Sequence, residues 1–390
     1  MKARIKAMLK NEFLINSGMV FGASILGALF MFVSNIILSR LFGPADFGMY
    51  KTVIGLFVFI AMLIDFGAYH TLTKYIAEFL AKKQKQKINC IIRFFLYLKF
   101  SVSFIVGGLA YLFRNQIASV FLKNSSLEYL VFPGVILSIF VVFDLSKSVV
   151  MGFQKFKLLS ASNFMTTAST GIATVFLGYY YGIYWAIIGW GLGYLIGNLI
   201  NFKFMFDKGL LKKVDGFDIK PILKKYSFPM WGMYALTMSN IAIIPVLSLF
   251  FAPVLIGYYG FAWTFYSGLL LIPIAFSQVL FPKIAQLQGD GNLEEAGNEL
   301  KKAFLLYTPV VVVGIGGTLL FSNTIVSLIA PAYVSGLIIF KVLNIAGLVL
   351  GYLWILSSYY GGFGKVKKSV LVIGLYNLLL LGVSFAIMGV

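Results

Sequence analysis

Long apolar segments alternate with short polar stretches along the whole chain, and most charged residues fall in the polar stretches. Each apolar segment is long enough for a helix to cross the hydrocarbon core of a bilayer, which takes about 20 residues. The segments are bounded by charged residues or by Gly and Pro, which often mark helix ends. The pattern predicts eleven membrane-spanning helices, at residues 14–41, 48–73, 90–113, 128–150, 158–180, 184–206, 226–250, 257–282, 303–322, 335–360 and 367–390.

Composition supports an all-α polytopic membrane protein. The chain is 60% hydrophobic and 12% charged, with a mean hydropathy of +0.92, whereas soluble domains carry roughly 25% charged residues. The net charge of +19 does not point to nucleic acid, because the basic residues lie between apolar segments and form no continuous basic face. Cys90 is the only cysteine, which excludes an intramolecular disulfide and a cysteine-based metal cluster.

The basic residues predict the orientation of the chain. Cytoplasmic loops of membrane proteins hold an excess of Lys and Arg, and most of the 32 basic residues fall in loops on one predicted side. The amino terminus is on that side, so it is predicted to be cytoplasmic. It is basic but lacks an A-x-A-like cleavage site after a short apolar region, so the first helix is expected to stay uncleaved.

The stretch 41–78 recurs at 251–286 with an ungapped shift of 209 positions. The positions retained in both copies are Pro44 with Pro253, Gly48 with Gly257, Tyr50 with Tyr259, and Lys74 with Lys283. We expect Pro44 and Gly48 to form the turn before the second helix. The repeat indicates an internal duplication, and an even number of helices per half makes the two halves parallel.

Parallel repeats in transporters enclose a substrate path at their interface. The predicted organisation is two pseudo-repeated helical lobes around a central cavity: a six-helix lobe at 1–207, a cytoplasmic linker at 208–225 and a five-helix lobe at 226–390. The repeat partner of the sixth helix would end beyond Val390, so a twelfth helix is expected to be absent, either naturally or by truncation.

Seven motifs then carry a family resemblance. They are LFGPADFGMY at 41–50 with DFG at 65–67, GFQKFK at 152–157, KYSFPMWG at 225–232, FAPVLIGYYGFAW at 251–263, LFPKIAQLQGDGN at 280–292, IAPAYVSG at 329–336 and YYGGFGKVKKS at 359–369. In this order they resemble the polysaccharide-export flippases, the Wzx-like branch of the multidrug/oligosaccharidyl-lipid/polysaccharide superfamily. One departure is the absence of any charged residue at 238–248, in the seventh helix, where members often carry one.

The resemblance implies a transporter of the cell membrane that flips a lipid-linked oligosaccharide from the cytoplasmic to the outer leaflet by alternating access. Its expected partners are the bilayer, a polyprenyl-phosphate-linked glycan, and glycosyltransferases or a polymerase of the same pathway. No cofactor or metal is expected, and coupling to H⁺ or Na⁺ stays open. The alternatives are a multidrug/cation antiporter, a lipid II flippase, and, from other classes, a membrane scaffold or an integral glycosyltransferase-like enzyme.

Catalysis is not supported by any motif. The chain has no HExxH, GxSxG, Walker or paired-cysteine pattern. The GxGxG at 189–193 has no strand before it, so it is not a dinucleotide fingerprint. Gly189, Gly191, Gly193 and Gly197 are instead predicted to form a small-residue face for close helix packing.

Three ionisable residues are predicted to lie inside the membrane at a similar depth: Asp65, Lys99 and Asp144. Such groups cost several kcal/mol in hydrocarbon unless they are paired or hydrated, so each is a functional candidate. The functional interpretation is a hydrated cluster that binds a cation, a proton or the substrate head group. The alternative is a buried Asp–Lys pair that fastens helices together.

Further candidates lie on both halves. Arg40 and Lys51 flank the first outer loop and suit a phosphate group, or anchor the helices at the interface. His70, the only histidine, either takes part in proton coupling or ends a helix. Aromatic and amide groups that suit a sugar, or a lipid-facing aromatic belt, are Tyr234, Asn240, Trp263 and Gln278.

Overall fold

The computed structural model describes residues 2–212 and 218–389, with side chains from Gly22 onward except that of Val141. The middle of the predicted linker 208–225, at 213–217, lies outside the described residues. All regular secondary structure within the described ranges is helical. The sixteen α-helices are α1 Lys2–Leu63, α2 Ala68–Ala81, α3 Lys85–Leu112, α4 Arg114–Phe121, α5 Val131–Val141, α6 Leu145–Gly152, α7 Phe156–Tyr181, α8 Ile183–Asp207, α9 Lys220–Ile222, α10 Phe228–Thr237, α11 Ile243–Ser248, α12 Pro253–Leu269, α13 Leu271–Gly289, α14 Leu293–Ile329, α15 Leu337–Gly362 and α16 Val366–Met388.

Eight helical segments of the described chain are long and apolar enough to cross a membrane, and a bent pair, Lys220–Thr237 with Ser239–Ser248, adds a ninth. Two of the eleven predicted helices, 14–41 and 48–73, overlap with a single one of these segments, Gly22–Leu63. Helix α7 also matches a predicted span, but it is not among the nine, since its Ser, Thr and Asn residues make it more polar. A polytopic, all-helical membrane fold is therefore confirmed.

The chain forms two compact units. Unit 1 comprises Met1–Ser34, Leu56–Ser119 and Asn124–Tyr234, and unit 2 comprises Asn35–Gly55, Val120–Lys123 and Ala235–Val390. The 35–55 segment thus packs with unit 2, although the parts of the chain before and after it belong to unit 1. The predicted lobe boundaries stay a prediction.

Unit 1 has an apolar core between α2, α3, α6 and α8, whose fully buried members include Leu72, Ile91 and Val149. Beside it, α7 and α8 pack closely because α8 presents glycines. A Cβ on Gly189, Gly193 or Gly197 would overlap with the backbone of α7. The predicted small-residue face is confirmed for these three, whereas Gly191 faces α5 at Leu137 and Phe140.

Unit 2 has its apolar core between α13, α14 and α15. Buried tyrosines connect its helices through their hydroxyl groups. Tyr259 pairs with Ser384 at 2.9 Å, Tyr266 pairs with Tyr376, and Tyr307 donates to the carbonyl of Leu348 at 2.8 Å. Such partners are expected because a tyrosine hydroxyl buried without one would lose its hydrogen bonds to water.

Four predicted helices are interrupted, which corrects the sequence-based boundaries. The predicted helix 128–150 has a 3₁₀ turn at Val142–Asp144, and the predicted helix 257–282 is interrupted at Leu270. The predicted helix 48–73 stops at Leu63 and resumes at Ala68, and the predicted helix 226–250 is broken at Met238 with a bend of 57°. Neither of the last two breaks contains a proline, the usual sequence signal. At the break at Met238, the Asn377 side-chain amide of α16 donates to the carbonyls of Leu236 and Thr237, each at 3.2 Å.

The two copies of the repeat touch each other inside unit 2. A Cβ on Gly48 would overlap with the carbonyl of Pro253, and a Cβ on Gly257 would overlap with the carbonyl of Pro44. The turn before the second helix lies at Gly43, whose φ of 69° favours glycine, and not at Gly48. Gly48 is helical, so its role is to admit the opposite backbone, which corrects the role in the turn predicted for it.

Candidate functional site

The break between α1 and α2 places a carboxylate inside unit 1. Phe66 and Gly67 have positive φ values of 48° and 72°, and the backbone turns sharply around Asp65. A bulky residue with positive φ is strained, and such strain concentrates at functional sites. Position 67 also favours glycine for a steric reason, because a Cβ there would overlap with the carbonyl of Ser227.

The carbonyl groups released by this break are bound by the start of the seventh predicted helix. The Trp231 indole N–H donates to the carbonyl of Leu63 at 3.0 Å, and the Ser227 hydroxyl donates to that of Phe66 at 2.6 Å. A π-helical turn at Leu223–Ser227 precedes these contacts. Non-helical backbone at membrane depth requires such partners, since hydrocarbon supplies none.

Asp65 forms an ion pair with Lys99 of α3. The two charged atoms, Lys99 Nζ and Asp65 Oδ1, lie 2.8 Å apart, and the side chains are only 7% and 13% exposed, respectively. The other carboxylate oxygen accepts a long hydrogen bond, 3.4 Å, from the backbone N–H of Tyr69. The sequence placed these two residues at one depth, and the structure brings them together.

Asp144 does not join that pair but has a lysine of its own. Lys147 Nζ lies 2.6 Å from Asp144 Oδ1, an ion-pair contact whose angles fall outside hydrogen-bond geometry, and it also lies over the ring of Tyr194 at 5.5 Å. The two ion pairs of unit 1, formed by Asp65, Lys99, Asp144 and Lys147, are called the unit 1 charge cluster below.

Aromatic rings lie beside this cluster. His70 stands edge-on to Tyr69 at 5.3 Å and to Tyr234 at 5.6 Å between ring centroids. Tyr234 follows Trp231 on α10, so the residues that cap the helix break and those that pack on His70 belong to one short segment. Paired charges next to aromatic rings suit a polar head group or an ion, and they also suit a structural contact between helices.

We expect Trp231→Phe to destabilise unit 1 by about 1–3 kcal/mol, because it keeps the ring but leaves the Leu63 carbonyl without its donor. The measurement is thermal unfolding of the purified protein in detergent micelles. Trp185→Phe is the matched control, since Trp185 is exposed and makes only ring contacts with Tyr181 and Tyr184. Equal melting temperatures for the two variants would contradict the capping role.

Lys51, in unit 2, has neutral partners only. Its ammonium donates to Asn35 Oδ1 at 2.6 Å and lies 5.1 Å from the ring centroid of Phe47. No carboxylate within the described chain lies at ion-pair distance from it, and the side chain is half-buried. Arg40, the other predicted phosphate ligand, is exposed.

The remaining candidates lie apart from the charge cluster. Trp263 packs between Tyr259 and Tyr266, with ring centroids 5.8 Å and 4.7 Å away. Asn240 is partly buried, and its Oδ1 has no hydrogen-bond partner among the described residues. Gln278 is exposed.

The sequence analysis did not identify three residues of this site: Lys147, Tyr69 and Tyr194. Lys147 lies in the predicted helix 128–150, and its spacing of three residues from Asp144, the spacing of a helical ion pair, is a signal that could have identified it. Tyr69 and Tyr194 had no signal beyond being aromatic. No group of three His, Cys, Asp or Glu side chains able to hold a metal occurs in the part of the chain that is described.

Solved transport proteins, one of them from the multidrug/oligosaccharidyl-lipid/polysaccharide superfamily, share this helical fold. An inward-facing multidrug resistance MATE family transporter of this superfamily matches with a TM-score of 0.73 at 14% identity, over 90% of this chain and 84% of its own. The lipid II flippase MurJ, in an inward closed conformation, matches with a TM-score of 0.70 at 17% identity, over 96% and 86%.

The chain belongs to the polysaccharide biosynthesis protein family, whose model matches residues 37–353. It is also 26% identical over 329 residues to an uncharacterized membrane protein of Methanocaldococcus jannaschii, covering 78% of this chain and 75% of that one. The family resemblance predicted from the motifs is confirmed. Both of these fold relatives are transport proteins.

Proposed function

We propose that this protein flips a lipid-linked oligosaccharide from the cytoplasmic to the outer leaflet by alternating access. Family membership supports a role in polysaccharide biosynthesis. The shared fold supports transport, since one relative is a lipid II flippase and another a multidrug transporter. The saccharide head group would cross between the helices while the lipid tail stays in the bilayer.

The observation that carries the proposal is the environment of Lys51. The half-buried Lys51 side chain donates to an amide oxygen and lies beside an aromatic ring, and no carboxylate of the described chain lies at ion-pair distance from it. An anion that arrives at this position gains an unshielded partner, and phosphate groups are strong acceptors for such donors. A polyprenyl-phosphate-linked glycan supplies that anion, whereas a cationic drug would be repelled.

The unit 1 charge cluster has a second role in the proposal. It lies next to the predicted cytoplasmic side and offers both charges and aromatic rings, so we assign it to the saccharide head group or to a coupling H⁺ or Na⁺. Under the same proposal the protein resides in the plasma membrane with a cytoplasmic amino terminus. It works without a cofactor, beside glycosyltransferases or a polymerase of its pathway.

Reconstitution tests this function directly. Purified protein in liposomes should move a fluorescent polyprenyl-diphosphate oligosaccharide between leaflets, measured as the fraction quenched by membrane-impermeant dithionite. Protein-free liposomes are the control. Transport of an organic cation without movement of the lipid-linked saccharide would replace the flippase by a multidrug/cation antiporter. Lipid II moved in preference to other glycans would identify a lipid II flippase.

A further inference from the structure

A surface of exposed lysines lies at one end of unit 1. The lysines come from the turn between α2 and α3, from the first residue of α3 and from the described part of the linker, and each of them is exposed. None has a carboxylate at ion-pair distance within the described residues. We call this set the unit 1 basic surface: Lys83, Lys85, Lys212, Lys220, Lys224 and Lys225.

The linker is packed on unit 1, so its lysines have fixed positions. The side-chain amide of Asn89 in α3 donates to the carbonyl of Gly209 at 3.0 Å. Three apolar linker residues, Leu210, Ile219 and Ile222, are buried in the unit 1 core together with residues of α2 and α3. The described linker is therefore amphipathic, with its apolar side chains in the core and its lysines exposed. Charges held in place bind an anion without the entropy cost of ordering a loose chain.

The basic character of this surface is not repeated in unit 2. The stretch 74–93 of unit 1 contains six basic residues and one carboxylate, Glu78, which is paired with Lys82. Its repeat equivalent in unit 2, 283–302, contains three lysines and four carboxylates, and Lys302 is paired with Glu299 at 2.9 Å. The excess of Lys and Arg in cytoplasmic loops applies equally to both copies. It therefore does not explain why the positive charge is concentrated on unit 1.

Large apolar side chains are exposed next to these lysines in the sequence. Leu80 precedes the α2–α3 turn, and Phe206 and Phe228 lie on either side of the linker. At the edge of a membrane, such side chains enter the boundary between head groups and acyl chains, while neighbouring lysines extend to the phosphate layer. This combination suits a lipid better than a soluble acidic protein, which would leave the apolar side chains without a partner.

We propose that the unit 1 basic surface binds the head groups of anionic phospholipids in the leaflet at this end of the protein. In the predicted orientation this is the cytoplasmic leaflet. Lysine ammonium groups donate to phosphate oxygens, and each lysine near an anionic membrane surface strengthens binding about fivefold. The acyl chains of the bound lipid contact Leu80, Phe206 and Phe228. The inference concerns the lipid around the protein and goes beyond the proposed substrate.

Lipid titration tests the surface. The purified protein in a non-ionic detergent is titrated with dioctanoyl phosphatidylglycerol, an anionic phospholipid, and binding is measured as the rise in melting temperature. A variant that replaces four of the lysines should bind this lipid at least about tenfold more weakly than the wild type. Its substitutions are Lys83→Gln, Lys85→Gln, Lys212→Gln and Lys224→Gln. Zwitterionic dioctanoyl phosphatidylcholine should raise the melting temperature of neither protein.

The matched control removes the same charge from exposed lysines of unit 2 on the same predicted side, and it should bind phosphatidylglycerol as tightly as the wild type. Its substitutions are Lys283→Gln, Lys301→Gln, Lys365→Gln and Lys367→Gln. Equal weakening in the two variants would overturn the proposal, because binding would then follow total charge and not the unit 1 basic surface.

Two competitors and salt complete the test on the wild-type protein. Displacement of the lipid by an equal concentration of glycerol 3-phosphate would reassign the surface to a free phosphate and overturn the proposal. Displacement by poly-glutamate would do the same in favour of an acidic protein. Should the unit 1 variant not fold, salt decides: binding should weaken as NaCl rises from about 0.05 M to about 0.5 M, and salt-independent binding would also overturn the proposal.

Discussion

Replacing Asp65 with asparagine is expected to lower the free energy of unfolding by about 3–5 kcal/mol, because the Lys99 ammonium stays buried without its counter-charge. Removing one partner of a buried ion pair is far more costly than removing both. The double variant Asp65→Asn with Lys99→Met should therefore recover most of the loss. Thermal or denaturant unfolding in detergent micelles measures each variant.

The exposed pair of Glu78 and Lys82 is the matched control. Its charged atoms are 2.5 Å apart, yet the side chains are 37% and 56% exposed, so Glu78→Gln should cost less than about 1 kcal/mol. Transport by the double variant separates the two roles of the buried pair. Recovery of both stability and flipping would mean that the pair only fastens helices; recovery of stability without flipping would assign it to the substrate or the coupling ion. A small loss in Asp65→Asn itself would show that water reaches Lys99.

The depth of the charged residues was predictable, but their partners were not. Counting along the predicted helices placed Asp65, Lys99 and Asp144 at one level, which is a property of position along each helix. Which charged residues form ion pairs depends on how each helix is rotated about its axis and on which helices pack beside it. The structure pairs Asp65 with Lys99 of another helix and gives Asp144 the local Lys147.

The helix breaks escaped prediction for a physical reason. Hydropathy averages over a window of about 20 residues, so single polar residues such as Asp65 or Ser239 do not end a predicted helix. These two breaks are stable because distant side chains bind the released carbonyls, Trp231 and Ser227 at one and Asn377 at the other. A local sequence window does not contain those partners.

The repeat was also only partly predictable: its equivalent positions could be read from the sequence, but the contact between them could not. Self-alignment gave the equivalence of Gly48 with Gly257 and assigned Gly48 to a turn. The self-alignment did not predict that these equivalent residues contact each other. An alignment matches residue types and contains no information on the distance between the matched residues. A symmetry axis that passes between the copies would predict the contact, but only the three-dimensional arrangement places that axis.

Replacing Lys51 with methionine is expected to reduce flipping of a diphosphate-linked saccharide at least about tenfold, equivalent to about 1.4 kcal/mol of lost interaction. Lys51→Arg should retain most activity, because a guanidinium also donates to phosphate. The dithionite assay in liposomes measures both. Lys123→Met is the control: that lysine is exposed and donates to the carbonyls of Val120 and Leu249, so its loss should leave flipping unchanged.

The melting temperature of Lys51→Met distinguishes a lysine that binds the substrate from one that stabilises the fold. An ammonium with neutral partners only is costly to bury, so Lys51→Met should leave the melting temperature unchanged or raise it while activity falls. A residue kept for folding would show the opposite, a lower melting temperature together with lower activity. Full activity in a stable Lys51→Met protein would show that the phosphate is held elsewhere, and Arg40, exposed on the same predicted side, would be the next residue to test.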